Sequence, residues 1–284
     1  YNGMLNGETA EEVWQIANEK LRTPEFSARN LIRRSNVEII CTTDDPVDSL
    51  EWHQKLYEEK DLGFKVYPAW RPDKAMNINL DTFIPYVKTL EEVSGVEITS
   101  FKTLVDALYK RMEFFNSMGT RISDHGLDYV PCKPATEEEI EAIFDKKMKG
   151  EELTGLEVSQ YKTAFLAAMC SEYYKYGWIL QLHYGCKRNN NTSMFEKLGP
   201  DTGYDASDNY TPSAELADFL DMLNQKEILP KTILYSLTPY DNQLIDTIMG
   251  CFQNSDAFGK MQHGSAWWFN DHAEGMHTPM KALA

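Results

Sequence analysis

The sequence lacks any run of about eighteen apolar residues, so it offers no segment suited to cross a bilayer as a helix. Its first residues, Tyr1-Asn2-Gly3-Met4-Leu5-Asn6-Gly7-Glu8, form neither a basic leader nor an apolar signal core, and the cytoplasm is the expected location. Cysteine is sparse. The five thiols, Cys41, Cys132, Cys170, Cys186 and Cys251, include no Cys-x-x-Cys pair, which argues against a disulfide framework or a zinc knuckle and for reduced thiols. Positive charge is short as well: 28 Lys and Arg face 44 Asp and Glu, for a net charge of −16. Nucleic acid and anionic membranes need a basic footprint, so neither is an expected partner. Internal repeats, low-complexity tracts and Gly/Ser linkers are absent, which favours one continuous domain over residues 1–284. No His-x-His pair, His-Glu-x-x-His helix, phosphate loop or dinucleotide fingerprint occurs, so no complete metal site is legible.

What is present alternates. Helical stretches are expected at about 1–34 and 135–177. Thr9 with Glu12 and Thr136 with Glu139 have capping-box spacing, Thr211-Pro212 places proline at a first helical position, and the segment from Thr154 to Tyr176 meets Gly177, a natural C-cap. Between helices lie short apolar runs suited to buried parallel strands: 37–41, 64–67, 178–182 and 232–237, with weaker candidates around Arg121-Ile122-Ser123 and Lys260-Met261-Gln262. Strands alternating with helices read as βα units.

Polar residues gather where these strands end. The loops carry Asp44-Asp45-Pro46, Trp70-Arg71-Pro72-Asp73-Lys74, Asp124-His125, His183 to Asn191, and Trp267-Trp268-Phe269. In a (β/α) barrel the loops after the strands converge on one mouth, so this distribution predicts a TIM-type (β/α)₈ barrel with inserted helices. Six strands are counted against eight, so the barrel is expected to be incomplete within this chain.

Each candidate has a bland reading beside the functional one. His183 at a strand end reads as catalytic, or as a satisfied core histidine. Arg71, beside Trp70, and Arg188 are the expected anchors of an anion, since a guanidinium pairs with a carboxylate through two donors; a surface ion pair is the alternative. Asp44 and Asp45 fit a helix cap and first turn. Asp124 and His125 suit acid–base work, although neighbours on a strand point to opposite faces. Trp267 and Trp268 suit a sugar-contacting wall or ordinary core. His53, His263 and His277 receive no role.

Taken together, these stretches resemble the uronate isomerase family of the amidohydrolase superfamily. The likeness rests on Ser35-Asn36-Val37 through Leu50, the Trp70 to Ala75 loop, Ser123-Asp124-His125, His183 through Asn191, Leu198 to Gly203, Pro230 to Tyr235 and Gly264 to Asp271. It covers nearly the whole chain. The resemblance implies a distorted (β/α)₈ barrel that interconverts D-glucuronate with D-fructuronate and D-galacturonate with D-tagaturonate by proton transfer through an enediol(ate). It implies a divalent metal, usually zinc, with His183 at or near it, and a His-x-His pair and an Asp-Ser-Arg-Ser context that this chain lacks. Catalysis would fall to His183 and Arg188; Arg71, Arg188, Trp267, Trp268, Asp124 and His125 would contact the hexuronate. The chain reads as the central part of such an enzyme, without the first and last barrel strands, and homo-oligomer formation is left open. A metal-dependent amidohydrolase and a non-catalytic truncated fragment are the competing expectations.

Overall fold

The alternation survives in the computed structural model, which describes residues 3–210 and 212–283. The chain divides into two compact units, Tyr1–Thr42 with Leu50–Pro68, and Thr43–Ser49 with Ala69–Ala284.

In the first unit, helices Ala10–Leu21, Ala28–Arg34 and Glu51–Glu58 accompany two short strands, β1 (Ile39–Cys41) and β2 (Lys65–Tyr67). These pair in parallel, with Ile40 opposite Val66. The capping box expected at Thr9 does not form. Thr9 precedes the first helix, but its hydroxyl donates to the Met4 carbonyl at 2.7 Å and leaves the helical N–H groups uncapped by that side chain. Ser27 caps the second helix by accepting from Asn30 N–H. Arg29 grips Glu59 through both terminal nitrogens, at 2.5 and 2.8 Å.

The second unit is built on parallel pairing in chain order. Asp44 bridges Trp70, Trp70 bridges Ser123, and Ile122 bridges Ile179. Strands β3 (His125–Gly126) and β4 (Leu180–Tyr184) come next, followed by a small antiparallel pair, β5 (Cys186–Lys187) with β6 (Ala206–Ser207). With β7 (Thr232–Ser236) and β8 (Met261–His263), the main sheet runs β3-β4-β7-β8, parallel throughout. Successive residues of a strand face opposite ways. Leu180, Leu182 and Tyr184 are buried, which leaves Gln181 and His183 on the other face of β4.

The helices form where the local chemistry favours them. Thr136 with Glu139 and Thr154 with Glu157 complete reciprocal capping boxes for helices Glu137–Met148 and Gly155–Tyr176, and Gly177 closes the latter at a φ of 66°. A third box, Ser100 with Thr103, starts helix Phe101–Ser117. Pro212 is the N-cap of helix Ser213–Gln225 rather than its first residue, and Thr211 lies outside the described residues. Asp44 and Asp45 do not open a helix either. Asp44 Oδ2 accepts from Ala69 N–H, while Asp45 Oδ1 accepts from Val47 N–H and from the Tyr86 hydroxyl, because the next helix starts only at Glu51.

Two aromatic clusters hold this unit. Phe83 meets Phe144 and Tyr161 edge-on, and Trp70 meets Phe115 edge-on at 4.9 Å beside Trp178. Among the described residues no helix is long and apolar enough to cross a membrane.

Candidate active site

Residues from several strand ends of the second unit line one cavity of about 560 Å³. Asp124 is its pivot. Its Oδ2 lies 3.2 Å from Arg71 Nη1 and its Oδ1 lies 2.7 Å from His183 Nδ1, so one carboxylate ties the loop after Trp70 to β4. Burial pushes the Asp124 carboxyl up, but His183, Arg71 and His125 outweigh that and hold it below the usual carboxylate range.

Arg71 is held on a second side by Asp73, whose Oδ2 accepts from Nε at 2.9 Å and from Gly126 N–H at 3.0 Å. A side chain at 126 would intrude here: its Cβ would stand 2.6 Å from Arg71 Nη2. Gly126→Ala should therefore turn the guanidinium out of its fork, weakening ligand binding in the cavity while costing no more than about 1 kcal/mol of stability. Calorimetric titration and urea melts check this; unchanged binding would show that the fork is not used.

His183 is fixed by more than its carboxylate. It stacks on Tyr235 with ring centres 4.1 Å apart, and Trp267 meets it edge-on at 5.1 Å. Tyr235 is itself set by its hydroxyl, which donates to Gln181 Oε1 at 2.9 Å, and by Gly264, where any Cβ would overlap the phenol ring. This leaves Nε2 as the ring nitrogen that Asp124 does not engage.

Across the cavity Arg188 Nη1 reaches Asp201 and Asp205, each at 2.8 Å, and its guanidinium lies 5.0 Å from the Trp268 ring centre. The neighbouring asparagines are structural. Asn189 N–H donates to Asp205, and Asn191 caps helix Thr192–Leu198.

Of the residues singled out from sequence, the cavity therefore gathers Arg71, Asp124, His183, Arg188, Trp267 and Trp268. It does not gather His125. That ring is fully buried on the opposite side of the strand, with Nε2 3.0 Å from the Tyr173 hydroxyl and Nδ1 3.6 Å from Asp73. Sequence reading gave no role to Asp73, Asp128 and Lys162, which also line the cavity. Asp73 could have been suspected from its place in the Trp70 loop. Lys162 could not, since it lies inside a long helix with no motif around it.

A metal of the kind the sequence resemblance implies needs several converging ligands. Among the described residues no three His, Cys, Asp or Glu side chains gather to hold one. Asp124 and His183, the two donors that lie in contact at the cavity, are already paired with each other, so the described residues do not bring a complete ligand set together.

Comparison with known proteins identifies the family. The glucuronate isomerase family matches residues 1–284. A uronate isomerase of Lachnospira eligens is 56% identical over the whole chain, and one of Lachnoclostridium phytofermentans is 55% identical; the chain spans 61% of the length of each. Among solved structures, the uronate isomerase of Thermotoga maritima superimposes with a TM-score of 0.90 at 35% identity, over 99% of this chain and 60% of that one. The glucuronate isomerase of Caulobacter crescentus does so with a TM-score of 0.88 at 26% identity, over 100% and 57% respectively. Because the match extends from the first residue to the last, the likeness belongs to the whole sequence and not to the cavity alone: this chain is a member of the glucuronate isomerase family.

Proposed function

We propose that the protein containing this chain is an aldose–ketose isomerase, interconverting D-glucuronate with D-fructuronate and D-galacturonate with D-tagaturonate. The observation that carries the reading is the Asp124 bridge between Arg71 and His183, set among cations beside an aromatic wall. Moving a hydrogen between C1 and C2 of an open-chain sugar needs a group that holds and returns a proton, and cationic donors for the enediolate. Asp124 orients His183 through Nδ1, so Nε2 is the nitrogen able to hold or pass a proton. Arg71 faces the same space as a cationic donor, and Trp267 and Trp268 exclude water from one side of the sugar.

The same proposal includes a (β/α)₈ barrel formed as one domain, a cytoplasmic location and a hexuronate as the small-molecule partner, with homo-oligomer formation open. The parallel, chain-ordered pairing in the second unit supports the barrel. The divalent metal that belongs to this reading, zinc by family likeness, would take His183 as one ligand through the same Nε2, which would then hold the metal in place of a proton. Since the described residues do not complete a ligand set, the proton steps fall to the side chains named above.

The test is incubation of the chain, and of a version extended at both ends to the length of its relatives, with D-glucuronate and D-galacturonate. Ketose formation is followed with and without zinc or manganese. The extended protein is expected to convert at least one of the two; no conversion by either protein would sink the isomerase reading.

A further inference from the structure

The cavity lining carries three carboxylates, Asp73, Asp124 and Asp128, against three cations, Arg71, Lys162 and Arg188. A chain with a net charge of −16 that takes a sugar acid must supply a local cation with charge to spare. Arg71 is held by Asp73 and Asp124, and Arg188 by Asp201 and Asp205. An arriving carboxylate would have to compete with two existing ion pairs at either arginine.

Lys162 differs. Among the described residues no carboxylate lies within 4.0 Å of its ammonium. Burial disfavours its charged form, with Asp128 and Asp73 only partly opposing this from farther away. Its backbone is held in place by its neighbours on helix Gly155–Tyr176. The Tyr161 hydroxyl donates to Ala75 O at 2.8 Å, and Thr163 Oγ1 accepts from Lys133 N–H at 2.9 Å. Both neighbours are buried. An anion reaching Lys162 would replace a poorly solvated, unpaired charge with an ion pair and break none.

We propose that Lys162 receives the carboxylate of the sugar acid, with Arg71 and Arg188 left to the hydroxyls and the reacting end. This rests on the hexuronate reading of the cavity. It also places the carboxylate of the sugar at Lys162 and its reducing end toward Asp124 and His183.

Binding of D-glucuronate and of its neutral amide, D-glucuronamide, is measured by calorimetry on the extended protein and on its Lys162→Met and Lys162→Arg variants. Folding is checked by urea melts. Lys162→Met is expected to bind glucuronate about ten- to hundred-fold more weakly, as loss of one charge-assisted partner implies. Glucuronamide should bind both proteins alike, and Lys162→Arg should recover part of the loss. Equal glucuronate affinity in the unsubstituted and Lys162→Met proteins, an equal loss for acid and amide, or no glucuronate binding by the unsubstituted protein would each overturn the proposal. Turnover is measured in parallel and judges the isomerase reading separately: Lys162-dependent binding without turnover would overturn that reading and leave this one standing.

Discussion

Asp124→Asn is expected to lower kcat of the extended protein by about 10²–10⁴-fold, the range for a misdirected acid–base group. The substitution keeps the shape of the side chain and removes its charge. An amide cannot accept through both atoms, so it satisfies either Arg71 or His183 and presents an NH₂ to the other. With the oxygen kept on Arg71, the NH₂ donates to His183 Nδ1 and selects the opposite tautomer; with the oxygen on His183, Arg71 keeps only Asp73. The sign of the accompanying pH effect follows from the depressed carboxyl. Its stabilisation is fully present above the unfolded value of about 3.9 and is lost as pH falls through the lower folded value. The part of the stability difference that this carboxyl carries should therefore fade as pH falls below about 4. Urea melts across that range check the second part. A kcat within a few-fold of the unsubstituted protein would remove Asp124 from the mechanism.

Trp70→Ala should cost about 3–5 kcal/mol in unfolding free energy, the range for deleting a large buried aromatic. Trp70 is fully buried, edge-on to Phe115 and beside Trp178, so its removal leaves a cavity that these two side chains would have to fill. Its backbone is equally committed, donating to Ile122 O and accepting from Asp124 N–H. Arg71 follows it directly, so the fork on Asp73 and Asp124 should loosen together with the core. Trp70→Phe keeps most of the packing and should lose clearly less. Denaturant midpoints of the three proteins settle the matter; a loss below about 1 kcal/mol for alanine would mean that the site collapses freely around the gap.

Much of this was legible in the sequence, for reasons that particular residues make clear. Short apolar runs marked strand positions because buried parallel strands need them, and β4 and β7 fall close to the stretches so marked. Thr136 announces its helix because a glutamate three residues on can return the capping bond; Thr9 has the same spacing, yet its hydroxyl finds Met4 instead. Spacing names the available partner and not the competitor. The helix begun by Ser100 was not legible because its box is closed by Thr103 rather than by an acidic residue. At the site, strand-end position pointed to His183, Asp124 and Arg71. Strand alternation had already cast doubt on a direct pairing of Asp124 with His125, which face opposite ways. Lys162 escaped notice because its role depends on which charges near it are already spent, and one-dimensional pattern carries no record of that.

The bridge between Arg71 and Asp124 joins positions 53 residues apart in the chain, and the segments it spans are brought together by the parallel bridges of the sheet. Such contacts are distant in sequence, and loop closure must come before they contribute anything. The chemistry of this cavity therefore has no partly built form along the folding route. Local helices can appear early, but the proton-handling group and its orienting carboxylate come into being together, when the strands dock. Recovery of the Asp124–His183 pair during refolding thus marks the arrival of the native topology, not of secondary structure.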